Sequence, residues 1–323
     1  MLIGKIQGAQ TTHSAMGTVM THKVFGTHQA AALPAIVQEI GRIEALLSRF
    51  IPTSEISTIN ARAGMESVPV SFETFEVLSK SLELSRACPG CFAVTIRPLV
   101  ALWKIGAARF SVPDTRSIQQ ALSLANDQDL ALDQLNMTAG LRRTGQSIDL
   151  GGVGKGYAAD RVAEILRDFE ITSAFSNLGG NVMTLGAKPD GSPWRVGIQH
   201  PRNKDLLIGS VSAANQSVVT SGDYQRYAAN RQGERFHHIL NPTTGYPSQS
   251  GLVSVTIISE SSQTADILST MLFVAGIEKG LECLKKFPET EAILIDQHIR
   301  VCVTSGLKYR FQPAEGVDVS FVH

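Results

Sequence analysis

The chain has 323 residues, 43% hydrophobic and 18% charged, with 29 Lys+Arg against 29 Asp+Glu. That length and apolar share suit one globular domain over residues 1–323, or two intimate subdomains. The charge balance leaves no basic footprint for nucleic acid, and no apolar run reaches the about 18 residues of a spanning helix.

Met1 to Gln10 carries one Lys and no long apolar core, so it lacks the pattern of a secretory signal. The expectation is a cytoplasmic protein, or a periplasmic or membrane-anchored one if an export segment has been removed.

In chain order, residues 33–49 place Ile36, Val37, Ile40, Ile43, Leu46 and Leu47 at helical spacing. Residues 72–87 repeat the pattern with Phe72, Phe75, Val77, Leu78, Leu82 and Leu84. A third helix starts at Asp114 or Thr115 and covers Ile118, Leu122 and Leu124. Residues 147–150 read as a short strand entering a glycine-rich turn, and a helix from Tyr157 to Phe169 follows. The second half is rich in predicted strands: Val182–Leu185, Trp194–Ile198, Leu207–Val211, Ser217–Thr220, Phe236–Leu240 and Val253–Ile258. Helices at Thr264–Val274 and Ile277–Phe287 precede a closing hairpin of Ala292–Ile295 and Val301–Thr304. Strands and helices mix without regular alternation, which predicts an α+β fold over a doubly wound one.

Four cysteines are present, two of them in Cys88-Pro89-Gly90-Cys91. The C-x-x-C spacing is that of redox and zinc sites. Cys283 and Cys302 are not the second close pair that a tetrahedral zinc site uses. The motif also lies between a helical stretch and an extended one, unlike a thioredoxin-type site. The simpler reading is two reduced thiols flanking a Pro-Gly turn.

Three segments carry candidate chemistry. The first is Asp149-Leu150-Gly151-Gly152-Val153-Gly154-Lys155-Gly156-Tyr157. A strand entering glycines and then a helix presents backbone amides and a helix dipole to an anion such as phosphate, and Lys155 adds a point charge. It is not a Walker A, since Gly156 follows Lys155, and Tyr157 breaks the dinucleotide fingerprint. By itself it reads equally as a ligand loop or a tight structural turn.

The second is Thr264 to Thr270. Asp266 and Thr270, four apart, share a helix face, and a carboxylate with a hydroxyl suits a hard cation such as Mg²⁺. Alone, the simpler reading is that Asp266 complements the helix N-terminus and Thr270 packs. The third is Val218 to Tyr224 with His237-His238-Ile239-Leu240-Asn241-Pro242. One of the two histidines faces inward, either as a hydrogen-bonded core residue or as a general base for a hydroxyl nucleophile.

In order, these segments and others resemble the ApbE family of flavin transferases. The resemblance runs through Met16-Gly17-Thr18, Ser48-Arg49-Phe50, Ser54-Glu55-Ile56-Ser57, Asn60, Phe92-Ala93-Val94-Thr95 and Pro98-Leu99-Val100. It continues through Asp149-Leu150-Gly151-Gly152, Lys155-Gly156-Tyr157, Asp160, Asn177-Leu178-Gly179-Gly180-Asn181 and Trp194-Arg195-Val196-Gly197-Ile198. It ends with Thr220-Ser221-Gly222-Asp223, His238-Ile239-Leu240-Asn241-Pro242, Thr244-Gly245, Ala265-Asp266 and Thr270. Each motif is weak alone, but their shared order from residue 16 to about 280 is specific.

The resemblance implies mixed and antiparallel sheets with packed helices, an ApbE-like, T-fold-like architecture. It implies FAD as substrate and Mg²⁺-dependent transfer of its FMN half to a Thr or Ser hydroxyl of a target flavoprotein, releasing AMP. It implies Mg²⁺ on the carbonyl of Gly152 and the side chains of Asp266 and Thr270. Flavin and adenine contacts fall at Met16, Phe50, Phe92, Asp149, Lys155 and Leu240, and His238 matches a histidine in the base role. Two other readings stand beside it: an FAD pyrophosphatase that uses water as acceptor, and a flavin-binding protein without catalysis. The chain departs from the family at Ala93 and Asn241, where Asp is usual, at Arg97, where Gly is usual, and at Lys104-Ile105.

Overall fold

The computed structural model describes residues 8–107 and 110–322. Residues 1–7 of the segment weighed above for an export signal lie outside them.

The chain enters on a hairpin that sequence periodicity does not announce. β1 (Ala9–Ala15) and β2 (Thr18–Phe25) pair antiparallel across the two-residue loop Met16-Gly17. Both loop residues have positive φ, 50° and 72°, the backbone of a primed turn whose twist matches its strands. α1 (Gln29–Leu47) follows, starting four residues ahead of the predicted 33. Then come α2 (Glu55–Ala61), β3 (Val68–Pro69), α3 (Phe72–Ala87) and α4 (Arg97–Trp103). α5 (Thr115–Leu124) is capped by Asp114, which accepts from the Ser117 amide at 2.9 Å. β4 (Leu130–Asp133) and β5 (Thr138–Leu141) join β3 in a small sheet.

The second half runs α6 (Gly154–Asp168), β6 (Ser173–Leu178), β7 (Asn181–Leu185), β8 (Trp194–His200), β9 (Asn203–Ala213) and β10 (Ser217–Gly222). It continues with β11 (Tyr227–Ala229), β12 (Arg235–His237), β13 (Leu252–Ser259), α7 (Ser262–Ala275), α8 (Ile277–Leu284), β14 (Glu291–Asp296), β15 (Val301–Thr304), β16 (Phe311–Pro313) and β17 (Val319–Val322).

The main sheet has nine strands in the order β1-β2-β6-β7-β10-β13-β14-β15-β17. All its pairs are antiparallel except β15 with β17. Helices α1, α6 and α7 cover one face. The three-stranded sheet β8-β9-β16 covers part of the other, where Val196, Ile198, Ile208 and Val211 meet Val182, Val218, Ile258 and Ile293. β13, Leu-Val-Ser-Val-Thr-Ile-Ile-Ser, is buried along its whole length because it is covered on both sides. The fold is α+β, as the mixed pattern predicts. Among the described residues no helix is long and apolar enough to cross a membrane.

Two predicted strands differ. Residues 147–150 pair with no strand. Their backbone is satisfied by the Asn60 side chain, which accepts from the Ile148 amide at 2.6 Å and donates to the Ile148 carbonyl at 3.1 Å, while the Asp149 amide donates to Val94 O at 2.8 Å. A side-chain amide thus takes the place of a neighbouring strand. Phe236–Leu240 is strand only at 235–237; Leu240 instead bridges Pro247, because the chain reverses at Asn241-Pro242. α8 also stops at Leu284, short of the predicted Phe287.

One contact ties α6 to α7. Asp160, inside α6, accepts from Ser261 Oγ at 2.9 Å and from the amides of Ser262 and Gln263 at 2.6 and 2.9 Å. It satisfies donors that the first turn of α7 leaves without helical partners. Burial pushes its carboxyl upward, against these bonds, which favour the charged form. Asp160→Ala is expected to cost about 2–4 kcal/mol by urea unfolding; a loss below about 0.5 kcal/mol, the range of ordinary surface changes, would remove this cap from the account.

Candidate functional site

The glycine turn and α7 meet, and each glycine has its own neighbour. A β-carbon on Gly156 would lie 2.5 Å from Ser262 O and 2.7 Å from both Gln263 Cα and Asp266 Cβ. Only a residue without a side chain fits between the two helices there. A β-carbon on Gly152 would lie 3.3 Å from Phe92 Cε2 and 3.4 Å from Thr270 Oγ1, and one on Gly154 would lie 3.4 Å from Met16 Cε. Gly156 thus serves close approach within the protein, whereas Gly152 and Gly154 face side chains at or near ordinary contact distance.

The amides follow the same logic. Gly151 N donates to Asp149 Oδ1 at 2.8 Å, Val153 N and Gly154 N to Leu150 O at 3.1 and 2.8 Å, and Gly156 N to Asp266 Oδ2 at 2.9 Å. These four amides are therefore committed internally. Of the two readings the sequence leaves open, these four amides follow the tight structural turn; the positive charge at hand is the Lys155 ammonium.

Lys155 stands 3.6 Å from Asp266 Oδ1 and 3.4 Å from Asn181 Oδ1. Asp266 is buried, so pairing by Lys155 and the Gly156 amide keeps its charge compensated. One helical turn on, Thr270 Oγ1 lies 3.2 Å from Ser221 Oγ, which also bonds Ser269 Oγ at 2.8 Å. Among the described residues, no three His, Cys, Asp or Glu side chains cluster as metal ligands; α7 offers the Asp266 carboxylate and the Thr270 hydroxyl, with the Gly152 backbone beside Thr270.

Both histidines are half-buried, where the sequence has only one facing inward. His237 Nε2 lies 2.9 Å from Ser248 O, with its ring edge-on to Phe273. His238 Nδ1 lies 3.1 Å from the Arg226 carbonyl. A carbonyl only accepts, so Nδ1 carries the proton and Nε2 keeps the lone pair. Burial lowers the His238 pKa to about 4, with the charges of Arg226 and Lys155 adding to the shift. His238 is thus a neutral imidazole with a basic Nε2, in the electrostatic field of Lys155.

Met16 occupies its positive-φ position with its amide donating to Glu44 Oε1 at 2.8 Å. Asp149 pairs with Arg49 Nε at 2.7 Å, and the Arg49 guanidinium sits 4.0 Å over the Phe50 ring. Phe50 is 77% exposed and connects to the turn only through Arg49 among these contacts. Leu240 belongs to a separate cluster with Leu99, Trp103 and Ile118. Its loop reaches the Phe92 segment through Thr243 Oγ1, which donates to Gly90 O at 3.0 Å.

Asn181, Ser221, Arg49, Glu44 and Asp160 are the residues that site-by-site reasoning passes over. Four of them stand within the ordered motifs above, which is the one signal the sequence holds for them; Glu44 stands outside. The departures also have local accounts. Asn241 Oδ1 accepts from the amides of Thr243 and Thr244 at 2.8 and 3.2 Å, a role a carboxylate fills equally. Beside Ala93, the amides of Val94 and Thr95 are met by the Asp127 carboxylate at 3.2 and 3.0 Å.

With this geometry in place, likeness to known proteins becomes informative. A family model described as "ApbE family" matches residues 16–294. A Klebsiella pneumoniae (strain 342) protein named FAD:protein FMN transferase is 38% identical over 301 residues, 93% of each chain. One of the same name from Treponema pallidum (strain Nichols) is 32% identical, covering 95% of this chain and 89% of its own. The crystal structure of the ApbE protein of Thermotoga maritima superposes with a TM-score of 0.87 at 31% identity, over 94% of this chain and 99% of that one. The apo form of the Pseudomonas stutzeri flavinyl transferase ApbE gives 0.80 at 29% identity, over 90% and 92%.

This chain belongs to the ApbE family.

The close approach at Gly156 is directly testable. Ala is the better helix former by about 1 kcal/mol, but its methyl meets backbone and an Asp266 carbon that cannot swing away. Gly156→Ala is expected to lower stability by about 1–3 kcal/mol by chemical unfolding. A variant as stable as the parent, with the Gly156–Asp266 hydrogen bond intact in its crystal structure, would contradict the packing argument.

Proposed function

We propose that this enzyme binds FAD with Mg²⁺ and transfers the FMN half to a Thr or Ser hydroxyl of a target flavoprotein, releasing AMP. The observation that carries the reading is the convergence of Lys155, Asp266, Thr270 and the Gly152 backbone beside a neutral His238. Family membership supplies the flavin.

The donor set fits magnesium. Asp266 and Thr270 project from adjacent turns of α7, Thr270 adjoins Gly152, and every donor is an oxygen, as a hard cation prefers. One protein carboxylate leaves coordination and charge for nucleotide phosphate. Gly152, Asp266 and Thr270 would hold the ion, which would supply positive charge against the FAD pyrophosphate and the departing AMP.

The chain's own groups do the rest. Lys155 adds positive charge at the phosphates. Asn181 holds Lys155 through Oδ1, and its buried Nδ2 has no partner among the described residues, a donor suited to the acceptor-rich nucleotide. The Phe92 ring lies beside Gly152, and the Met16 side chain reaches Gly154. The acceptor oxygen attacks the phosphorus of the FMN half, its bond to the bridging oxygen breaks, and AMP leaves. His238 Nε2 takes the acceptor's proton. Positioning and charge stabilisation thus carry the reaction, with no covalent nucleophile from this chain.

The deciding experiment incubates the enzyme with FAD, Mg²⁺ and a protein bearing a flavin-accepting Thr. Covalent fluorescent flavin on that protein is the expected result. Free FMN and AMP without labelling would replace transfer by hydrolysis, and intact bound FAD would leave a binding protein. Asp266→Ala is expected to abolish Mg²⁺-dependent turnover while keeping part of FAD binding, read by turnover in a Mg²⁺ titration and by flavin fluorescence; full activity would remove Asp266 from the metal site.

His238→Ala is expected to slow transfer by about 10²–10⁴-fold with FAD affinity changed far less. With a His238 pKa of about 4, the base form persists well below the ordinary 6.5. The transfer rate should therefore hold as pH falls through 6.5 and decline only toward about 4. An unchanged rate in the variant would exclude His238 as the base, and an acid limb near 6.5 would contradict its lowered pKa.

A further inference from the structure

Far in sequence from Cys88 and Cys91, Cys283 on α8 completes a cluster of three thiols. Cys88 neighbours both Cys91 and Cys283, and these thiols together with burial push Cys88 and Cys91 up, away from the thiolate form; Cys283 Sγ lies 3.6 Å from Met271 Sδ. All three cysteines are free and buried, at 3%, 3% and 4% exposure. They sit directly beneath an exposed surface turn, Pro89-Gly90. The turn is tight: Cys91 N donates to Cys88 O at 3.2 Å, and Gly90 takes φ 77°. Positions one and four of such a turn have α-carbons within about 7 Å, which overlaps the range a disulfide spans.

The turn is held from outside. Lys279 and Lys286 donate to the carbonyls of Pro89 and Ala87 at 3.2 and 2.6 Å, and Thr243 Oγ1 holds Gly90 O. The Cys91 thiol also donates to Pro89 O, at 3.8 Å. Buried cysteines are ordinarily inert. Here two features offset burial: both thiols stand at the ends of one tight turn, and the two residues between them are exposed.

We propose that Cys88 and Cys91 are a redox-active dithiol that closes to a disulfide by exchange with a small-molecule disulfide such as oxidised glutathione. One thiol of the pair, as thiolate, attacks a sulfur of the oxidant, forms a mixed disulfide and displaces one glutathione thiolate. The other loses its proton to solvent and attacks the protein sulfur of that mixed disulfide, expelling the second glutathione. The pair gives up two electrons and two protons, and the oxidant becomes two thiols. The turn supplies the geometry, and Cys283 is the adjacent thiol that exchange would reach next. Phe92 follows Cys91 directly, so the dithiol adjoins the segment that packs on Gly152. The chemistry stands independently of the flavin reading.

The test equilibrates the native full-length protein in glutathione buffers of rising oxidised share, quenches with acid, unfolds, alkylates and maps peptides by mass spectrometry. The expected product is a peptide containing Cys88 and Cys91, both unalkylated and two hydrogens lighter. It should grow with the oxidised share and revert with dithiothreitol. Cys91→Ser should lose this product, and Cys283→Ser should retain it. Should either variant fail to fold, the wild-type map decides alone. Full alkylation of Cys88 and Cys91 at the most oxidising ratio would overturn the proposal, and a Cys88–Cys283 link in place of the turn disulfide would overturn the pairing.

Discussion

Gly156 lets α6 lie against the start of α7 so closely that its own amide holds the Asp266 carboxylate at 2.9 Å. Much of the site follows from that contact. It sets the glycine turn, which immediately precedes α6, against the face of α7 that carries Asp266 and Thr270. It also fixes Lys155, the preceding residue, where its ammonium reaches Asp266 and Asn181. Asp160, one turn further along α6, fastens the same junction by capping α7. Glycine costs about 1 kcal/mol in a helix relative to alanine, and the steric and hydrogen-bonding terms at this junction outweigh it.

The electrostatics are compact. One ammonium, one buried carboxylate and one neutral imidazole share a small region, and each conditions the next. Lys155 compensates Asp266, and the same positive charge helps keep His238 unprotonated. A neutral histidine with Nδ1–H tied to a carbonyl is oriented to accept a proton at Nε2. An acceptor-rich, anionic ligand suits this region, since Lys155 and the Asn181 amide both offer donors to it. The sheet provides the rigidity: Ser221 on β10 and Asn181 at the start of β7 both come from neighbouring central strands.

The thiol cluster shows the same principle away from that centre. Cys88 and Cys91 are three apart in sequence, whereas Cys283 comes near them because α8 packs by the turn, with Lys279 bonded to Pro89 O and Lys286, just past α8, to Ala87 O before it. A pair that reads as incidental in the sequence becomes a group of three neighbouring buried thiols in the fold.

What the sequence determined by itself was mainly periodic or ordered. Helices α3 and α5, strands β7, β8, β10 and β13, and the closing β14-β15 hairpin are legible because local apolar spacing dictates which face is buried. The α+β class follows from their mixture, and the family from motifs in register. Tertiary structure alone decided the remainder. The β1-β2 hairpin rests on positive φ at Met16, which a side chain does not announce. Residues 147–150 have strand-like composition but take their partner from the Asn60 side chain, 88 residues away. The glycines at 152, 154 and 156 looked alike, yet each meets a different distant group, and four amides of the turn turned out to be spent internally. Such features depend on which surfaces meet across long loops, and local spacing holds no information about that pairing.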